Sequence, residues 1–311
     1  MDDRLRLPVH AAQDEIAVHA GSPRRDIDVT VFASPLVEVG RWRCPADNPI
    51  FYDSGPTSHT LFAFPREGVW IAHEGSAPFV ADPNTVTYDN KGQVYTRQPL
   101  SRIGDQCEYF AVAPEAVAET LAAHEPAAID RVDRPFPFSH GPSDPGTYLR
   151  QRMVFRHVTR EANPDRLFVE EAVMSILGDV TSLAYQRSAA PRSRPRREID
   201  VVEAAKHVIA SRFTEDLSLS DVAASVNTSV FHLARLFRTR TGFSLHAYRN
   251  QLRLRAALER LREPGVDLTA IALDLGFSSH SHFTEVFRRS FGKTPSVVRE
   301  SLLDRRSASE G

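Results

Sequence analysis

One pattern occurs twice near the end of this chain: LSLSDVAASVNTSVFHLARLFRTRTGFS at 217–244 and VDLTAIALDLGFSSHSHFTEVFRRSFGKTPS at 266–296. Leu219 in the first copy matches Leu268 in the second, and Leu233 matches Phe283. The offset between matching residues grows by one along the copies because the second copy has one extra residue between its two apolar runs. A repeat of this size predicts two copies of one structural unit.

Each copy is predicted to be a helix-turn-helix unit. Ser220 and Ser229 are the expected N-caps of the two helices in the first copy, and Thr269 and Ser279 those in the second. Side-chain oxygens at such positions accept hydrogen bonds from the free N–H groups of the first helical turn. Apolar residues then recur at helical spacing on one face of each helix, which predicts a small helical core.

The second helix of each copy is predicted to contact DNA with its outward face. A recognition helix meets base edges in the major groove with the residues of its first turns. Arginine can bond guanine twice and glutamate can accept from cytosine, so Arg235 and Glu285 are predicted to read bases. Arg288 and Arg289 are predicted to bind phosphate, which adds affinity without sequence information. The predicted DNA-binding residues are Val230, Phe231, Ala234, Arg235, Arg238, His280, Ser281, Thr284, Glu285, Arg288 and Arg289.

The segment HAYRNQLRLRAALERLR at 246–262 predicts a helix between the two units. Such a helix fixes one unit relative to the other. If both recognition helices enter the major groove on one face of the DNA, they lie about 34 Å apart, one helical turn of the duplex. This arrangement requires a footprint of roughly two turns, or DNA bending.

Short strands are predicted for the first half of the chain. Runs rich in Val, Phe, Tyr and Thr lie between residues 30 and 112 and are separated by Pro, Gly and Asn. This spacing is typical of an antiparallel sandwich or barrel. Helical periodicity follows near 113–124, 148–162 and 165–187. We therefore predict an α+β two-domain chain, in which an antiparallel β-barrel with flanking helices precedes an all-α domain of two helix-turn-helix units joined by a linker helix.

Four segments follow from these patterns. Residues 188–198, SAAPRSRPRRE, contain two prolines and four arginines and predict an exposed linker. The apolar face of the preceding helical hairpin can pack on the barrel or on a partner subunit, and the sequence leaves both open. The predicted segments are a β-rich sensor domain at 1–135, a helical hairpin and possible dimerisation element at 140–187, the linker at 188–198, and the DNA-binding domain at 199–303.

Charge and cysteine content narrow the class of protein. Of 38 basic and 40 acidic residues, 20 and 14 lie in residues 191–311, so this part carries about +6 and residues 1–190 about −8. A basic half favours a polyanionic partner for that end only. The two cysteines, Cys44 and Cys107, form no metal-type pair and fit a reducing compartment. No apolar run predicts a membrane span or a secretory signal, so we expect no membrane partner and a cytoplasmic location.

The last hundred residues resemble the AraC/XylS family of transcription regulators. The resemblance rests on DVA at 221–223, LARLFR at 233–238, YRNQLRLRAA at 248–257 and above all IALDLGFSSHSHFTEVFRRSFGKTPSVVR at 271–299. It covers about a third of the chain. It implies double-stranded DNA as partner and a cupin-like N-terminal barrel that binds a small effector or holds a homodimer. It also favours an activator, which would contact RNA polymerase, over a repressor.

A barrel of this kind can hold one small ligand. The candidate effector-binding residues are Trp42, Tyr52, His59, Trp70 and His73. The predicted function is therefore a sequence-specific, effector-responsive transcription regulator. One alternative is a DNA-binding regulator whose barrel only dimerises.

A second alternative is a metal-dependent cupin enzyme with a DNA-binding tail. The barrel segment has no His-x-His pair, and the chain has no phosphate-binding glycine loop or catalytic nucleophile motif. We therefore predict no enzymatic activity, no metal and no cofactor.

Overall fold

A computed structural model of the protein describes residues 27–53, 55–188, 196–263 and 265–303. The predicted linker at 188–198 lies mostly outside the described residues, and so does the start of the predicted sensor domain at 1–135. The boundaries of these segments therefore stay predictions, and the elements below are given as the structure has them.

Antiparallel strands occupy the first part of the chain. Their sequences are rich in β-branched and aromatic residues, which favour strands. In VWIAH burial also alternates: Val69, Ile71 and His73 are buried and the residues between them are half-buried. The strands are β1 (Asp28–Ala33), β2 (Val37–Cys44), β3 (Leu61–Pro65), β4 (Val69–His73), β5 (Phe79–Ala81), β6 (Thr85–Asp89), β7 (Tyr95–Pro99), β8 (Asp105–Val112) and β9 (His140–Pro142).

The strands form two sheets, so the predicted antiparallel barrel is not closed by hydrogen bonds. Six strands pair in the order β1-β2-β8-β3-β6-β9, and three pair in the order β5-β4-β7. The chain passes from the first sheet to the second between β3 and β4. Closure into a barrel requires hydrogen bonds all the way round, whereas within the described residues β4, β5 and β7 pair only with one another. The antiparallel, strand-rich character of this half is as predicted.

Three helices follow the strands: α1 (Pro114–Ala122), α2 (Pro145–Arg160) and α3 (Arg166–Ser188). Helices α2 and α3 pack against each other, and α3 also packs against β9. The apolar face of α3, including Val173, Ile176 and Val180, is buried in the core of this half. Leu167 and Phe168 at its start stay 65% and 50% exposed. Intramolecular packing therefore accounts for most of this apolar face, and its first turn is the part that stays exposed among the described residues.

The described residues from 196 to 303 are all-α, as predicted. The first helix begins at Arg196, inside the segment predicted to be a linker. The helices are α4 (Arg196–Ser211), α5 (Leu219–Ser225), α6 (Val230–Thr241), α7 (Leu245–Arg260), α8 (Leu268–Asp274), α9 (His280–Phe291) and α10 (Pro295–Leu303). Helices α5 and α6 form the first helix-turn-helix unit, α8 and α9 form the second, and α7 joins them.

The first helix of each unit begins two residues earlier than predicted. Ser218, not Ser220, caps α5, and it forms a capping box with Asp221 in which each side chain binds the other's backbone N–H. Asp267, not Thr269, caps α8: its side chain accepts a hydrogen bond from the backbone N–H of Ala270, the third residue of the helix. Ser218 and Asp267 are the caps because they have extended backbone angles directly before the first helical residue.

The two units differ in how they join the N-terminal half. The core of the first unit, with Val222, Leu233 and Phe237, forms a separate cluster with α4. The core of the second unit, with Phe283 and Phe287, belongs to the same cluster as the six-stranded sheet and the α2–α3 pair. Helix α9 also contacts α2 directly. No helix in the described parts of the chain is long and apolar enough to span a membrane.

Candidate nucleic-acid interface

The turn inside each helix-turn-helix unit has the same backbone geometry. Asn227 and Gly276 occupy equivalent positions and both have positive φ, 48° and 79°. Asparagine tolerates this left-handed conformation better than other non-glycine residues, so Asn227 can replace the glycine. The amide that follows each of them donates to a carbonyl five residues earlier, at 3.0 Å and 2.9 Å. The extra residue of the second turn is Ser278, which precedes the cap.

The second helix of each unit also begins and ends in the same way. Ser229 caps α6 and Ser279 caps α9, as predicted, each by accepting a hydrogen bond from the third residue that follows. Gly242 and Gly292 end the two helices with φ of 80° and 73°. These left-handed C-caps are sterically open to glycine. Two helices of twelve residues therefore start and stop at equivalent points of the repeat.

The outward faces of α6 and α9 reach solvent. Leu233 and Phe237 of α6, and Phe283 and Phe287 of α9, are fully buried and hold the helices in place. Ala234 is half-buried, and so is Thr284. The other predicted DNA-binding residues are exposed: Val230, Phe231, Arg235, Arg238, His280, Ser281, Glu285, Arg288 and Arg289. None of the described segments covers either face.

The exposed cations on these faces are unpaired within the described part of the chain. Elsewhere exposed arginines find carboxylates, as Arg212 does with Glu215 at 2.8 Å. By contrast, no carboxylate in the described ranges forms an ion pair with the guanidinium groups of Arg235, Arg238, Arg288 and Arg289. Four unpaired cations on the exposed faces of α6 and α9 are suited to a polyanion.

Arg253 of α7 connects the two units. Its guanidinium donates to the carbonyls of Phe213 at 2.6 Å and Glu215 at 3.0 Å, which precede the first unit. It also donates to the carbonyl of Gly276, in the turn of the second unit, at 2.7 Å. Burial and the neighbouring Arg249 lower the pKa of Arg253 to about 10, so it stays charged at neutral pH. The linker helix was predicted, but this buried role of one of its arginines was not.

A second connection joins α7 to the N-terminal half. The Tyr248 hydroxyl donates to the Asp82 carboxylate at 2.6 Å, and the Asn84 side-chain amide donates to the Tyr248 carbonyl at 3.1 Å. Burial raises the pKa of Asp82, and the hydrogen bond from Tyr248 opposes that rise. Further along α7, buried Arg255 donates to the carbonyl of Ser143 at 2.6 Å.

An ion cluster adds a third connection. Glu108 of β8 lies between Arg66, at 3.0 Å, and Arg152 of α2. Glu259 of α7 binds the same two arginines, with 3.0 Å to the Nε of Arg152. Burial acts to raise the pKa of Glu108, but Arg152 and Arg66 outweigh it, and the pKa is lowered. Sequence reasoning missed these residues because no local pattern marks side chains that meet only in the tertiary structure.

Two of the five candidate effector residues lie in polar contacts of β4. The Trp70 indole donates to His207 of α4 at 2.9 Å, so it contacts the C-terminal half. His73 is buried, with its Nε2 2.8 Å from Asp89. The Trp70 Nε1 and the His73 Nε2 therefore each have a structural partner, whereas the buried Nδ1 of His73 has no hydrogen-bond partner among the described residues.

The other three candidates lie elsewhere. The Trp42 ring lies 4.8 Å from the guanidinium of Arg97. Tyr52 is 54% exposed. His59 is at the surface, 3.7 Å from Glu38. The structure therefore does not bring the five candidates into one site.

A cavity of about 520 Å³ lies between the two halves. Its volume is in the range of small-molecule sites. Residues on the sheet side and residues of α4 and of the end of α6 face each other across it. They include Phe136, Phe138, His140, Lys206, Arg240 and Phe243. None of the five candidate effector residues lines this cavity. Among the described residues, no three His, Cys, Asp or Glu side chains are grouped so as to hold a metal ion.

Comparison with known proteins gives the same picture of the C-terminal half. Residues 222–301 match a family described as "Helix-turn-helix domain". Regulatory protein PocR of Salmonella typhimurium is 34% identical over 94 residues, which are 30% of this chain and 31% of PocR. Regulatory protein SoxS of the same organism is 38% identical over 94 residues, which are 30% of this chain and 88% of SoxS. The similar segment thus spans about a third of PocR but most of SoxS.

Among solved structures, ToxT from Vibrio cholerae O395 aligns with 86% of this chain and 99% of its own, at 13% identity and a TM-score of 0.34. The curated relatives named above are regulatory proteins and not enzymes, in agreement with the prediction that this chain is not an enzyme.

Proposed function

This chain belongs to the AraC/XylS family of transcription regulators, and we propose that it binds one DNA duplex with both helix-turn-helix units at once. In this proposal α6 and α9 enter successive major grooves on one face of the DNA, about 34 Å apart. A regulator of this kind acts where the chromosome is, which is the cytoplasm.

One observation carries this proposal. Two helices with matching caps, turns and lengths both leave their polar faces open to solvent. Arg253 ties their units to one linker helix. A protein that used only one unit would not need the second exposed face or the fixed separation.

The exposed side chains divide into two roles. Arg235 and Glu285, the sixth residues of α6 and α9, are the proposed base readers, because their groups match guanine and cytosine edges. Arg238, Arg288 and Arg289 are the proposed phosphate contacts, which fix register and raise affinity at low salt.

The test is selection of bound duplexes from a random pool at fixed salt. Wild-type protein should enrich two blocks whose centres are about 10 base pairs apart. Arg235→Ala and Glu285→Ala should each relax preference at one position of one block, at a cost of about 1–3 kcal/mol in binding. Arg212→Ala, on an exposed arginine outside both faces, is the matched control and should leave the selected sequence unchanged. Selection that is unaltered in the two test variants would refute their role.

A small-molecule effector is the second part of the proposal. The cavity between the two halves supports it, since a ligand there would touch α4 and the end of α6 together with the sheet side. A ligand that binds the folded state stabilises it by about 2.7 kcal/mol at a hundredfold excess over its Kd. We therefore expect some member of a metabolite library to raise the midpoint of thermal unfolding. If none does, the alternative is favoured, in which the N-terminal half only dimerises and binds no effector.

The remaining parts of the proposal concern partners. Activation, with contact to RNA polymerase, is favoured over repression by the family resemblance alone. A homodimer through the α2–α3 pair is supported by the exposed Leu167 and Phe168, which are 65% and 50% accessible. The cupin-like relationship of the N-terminal half is supported by its antiparallel strands, although these form two sheets.

A further inference from the structure

The two reading helices open with different chemistry. The first two residues of α6 are Val230 and Phe231, both apolar. The equivalent residues of α9 are His280 and Ser281, both polar. These positions lie at the N-terminal end of each helix, where side chains reach base edges. The two units of one repeat therefore present different surfaces to DNA.

Within the described residues, the Phe231 side chain does not take part in core packing. Its side chain is 79% exposed, and Val230 is 42% exposed. Phe231 belongs to none of the hydrophobic clusters of the described residues, and its ring stacks on no other ring among them. An exposed phenylalanine that packs on nothing is open to an apolar group of a partner.

The surroundings of Phe231 identify that partner. Arg235 lies one turn further along α6, on the same face of the helix, and is exposed and unpaired. Ala234 follows Val230 at the same spacing, and its small side chain lets a partner approach closely. The apolar pair is thus continuous with the cationic face that would contact DNA.

The major groove of DNA offers one apolar group. Thymine alone carries a C5 methyl, and alanine, threonine and phenylalanine side chains make apolar contacts with it. Valine and phenylalanine side chains form no hydrogen bonds, so they cannot distinguish the other base edges by donors and acceptors.

We infer that Val230 and Phe231 read thymine methyl groups. The first unit then selects bases largely by apolar contact, and the second largely by hydrogen bonds. This inference rests on the proposed function, in which α6 lies in the major groove. Burying one methyl is worth about 0.8 kcal/mol, which is about fourfold in affinity. Two methyls would then give about fifteenfold.

The experiment replaces thymine with uracil, which removes the methyl and keeps every hydrogen-bonding group. The probe is the tightest duplex from the random-pool selection, synthesised with uracil in the block read by the first unit. Wild-type protein should bind it about 4- to 15-fold more weakly than the thymine duplex. Uracil in the other block should change affinity less than twofold, which controls for general effects on DNA shape.

Two variants make the test specific. Phe231→Ala should weaken binding to the thymine duplex and abolish the difference between thymine and uracil. Ser281→Ala, at the equivalent position of α9, should keep that difference. Because Phe231 is exposed, its variant should unfold at the wild-type temperature, which separates a lost contact from a lost fold.

The outcomes separate this inference from the proposed function. If no duplex is enriched at all, the proposed function fails. If a duplex is bound with equal affinity with and without the methyl groups, or if the first block contains no thymine, DNA binding stands and the reading of methyl groups is refuted.

Discussion

Replacing Arg253 by alanine should lower the free energy of unfolding by about 3–5 kcal/mol. The guanidinium makes three hydrogen bonds to the carbonyls of Phe213, Glu215 and Gly276, at 2.6–3.0 Å. Hydrogen bonds from a charged group are worth about 1.5–3 kcal/mol each, and they are not additive. Arg253 is 5% exposed, so its removal also leaves a cavity where its side chain packed and three carbonyls without this donor. Urea denaturation followed by circular dichroism measures the loss.

Arg249 of the same helix provides the matched control. It is half-buried, and its closest hydrogen bond is to the carbonyl of Leu217 at 2.9 Å. Arg249→Ala should therefore cost about 1 kcal/mol. Arg253→Lys should recover little of the loss, because an ammonium group cannot reach three carbonyls in the fixed fork of a guanidinium. Equal losses for Arg249→Ala and Arg253→Ala would contradict the role of Arg253 in joining the two units.

The position of Gly276 explains why the second unit is sensitive at this point. It has a φ of 79°, and an added Cβ would meet the carbonyl of Thr214 and the guanidinium of Arg253. The first unit has Asn227 at the equivalent place, with a φ of 48° and a side chain of its own. Both turns therefore need a residue that tolerates positive φ. In the second unit the turn also packs closely against Thr214 and Arg253.

The features of the helix-turn-helix units that depend on nearby residues could be predicted from the sequence repeat. The caps at Ser229 and Ser279, the turns and the buried faces of α6 and α9 depend on neighbours within a few residues, and the sequence shows those neighbours. The caps at Ser218 and Asp267 were missed because several cap-forming residues stand within two or three positions of each other. Which of them caps is decided by the path by which the chain enters the helix.

Long-range features escaped prediction for a different reason. The residue types of the strands predict that they form β-sheet, but not which strands pair with each other. Because β4 pairs with β5 and β7 in a separate sheet, the expected barrel is not closed. Trp70 and His73 were expected in an effector site, yet the Trp70 Nε1 and the His73 Nε2 bind partners 137 and 16 residues away. Likewise, the buried side chains of Arg253 and Arg255 donate hydrogen bonds to carbonyls that are distant in sequence.

Inserting base pairs between the two blocks of the selected DNA site should have the largest effect on binding. Five base pairs turn the second block by about half a helical turn, so that it faces away from the protein. Ten base pairs restore the face but move the block about 34 Å further along. Because α7 and Arg253 fix the separation of the two units, the protein cannot contact both blocks at once after either insertion.

The affinity for these spaced sites tests the central claim most directly. Each lost base pair contact costs about 1–3 kcal/mol, so loss of one whole block should weaken binding about 100-fold or more. We expect both the five- and the ten-base-pair insertions to reduce affinity to that of a duplex carrying one block alone. Unchanged affinity after the five-base-pair insertion would contradict simultaneous reading by α6 and α9 at a fixed separation.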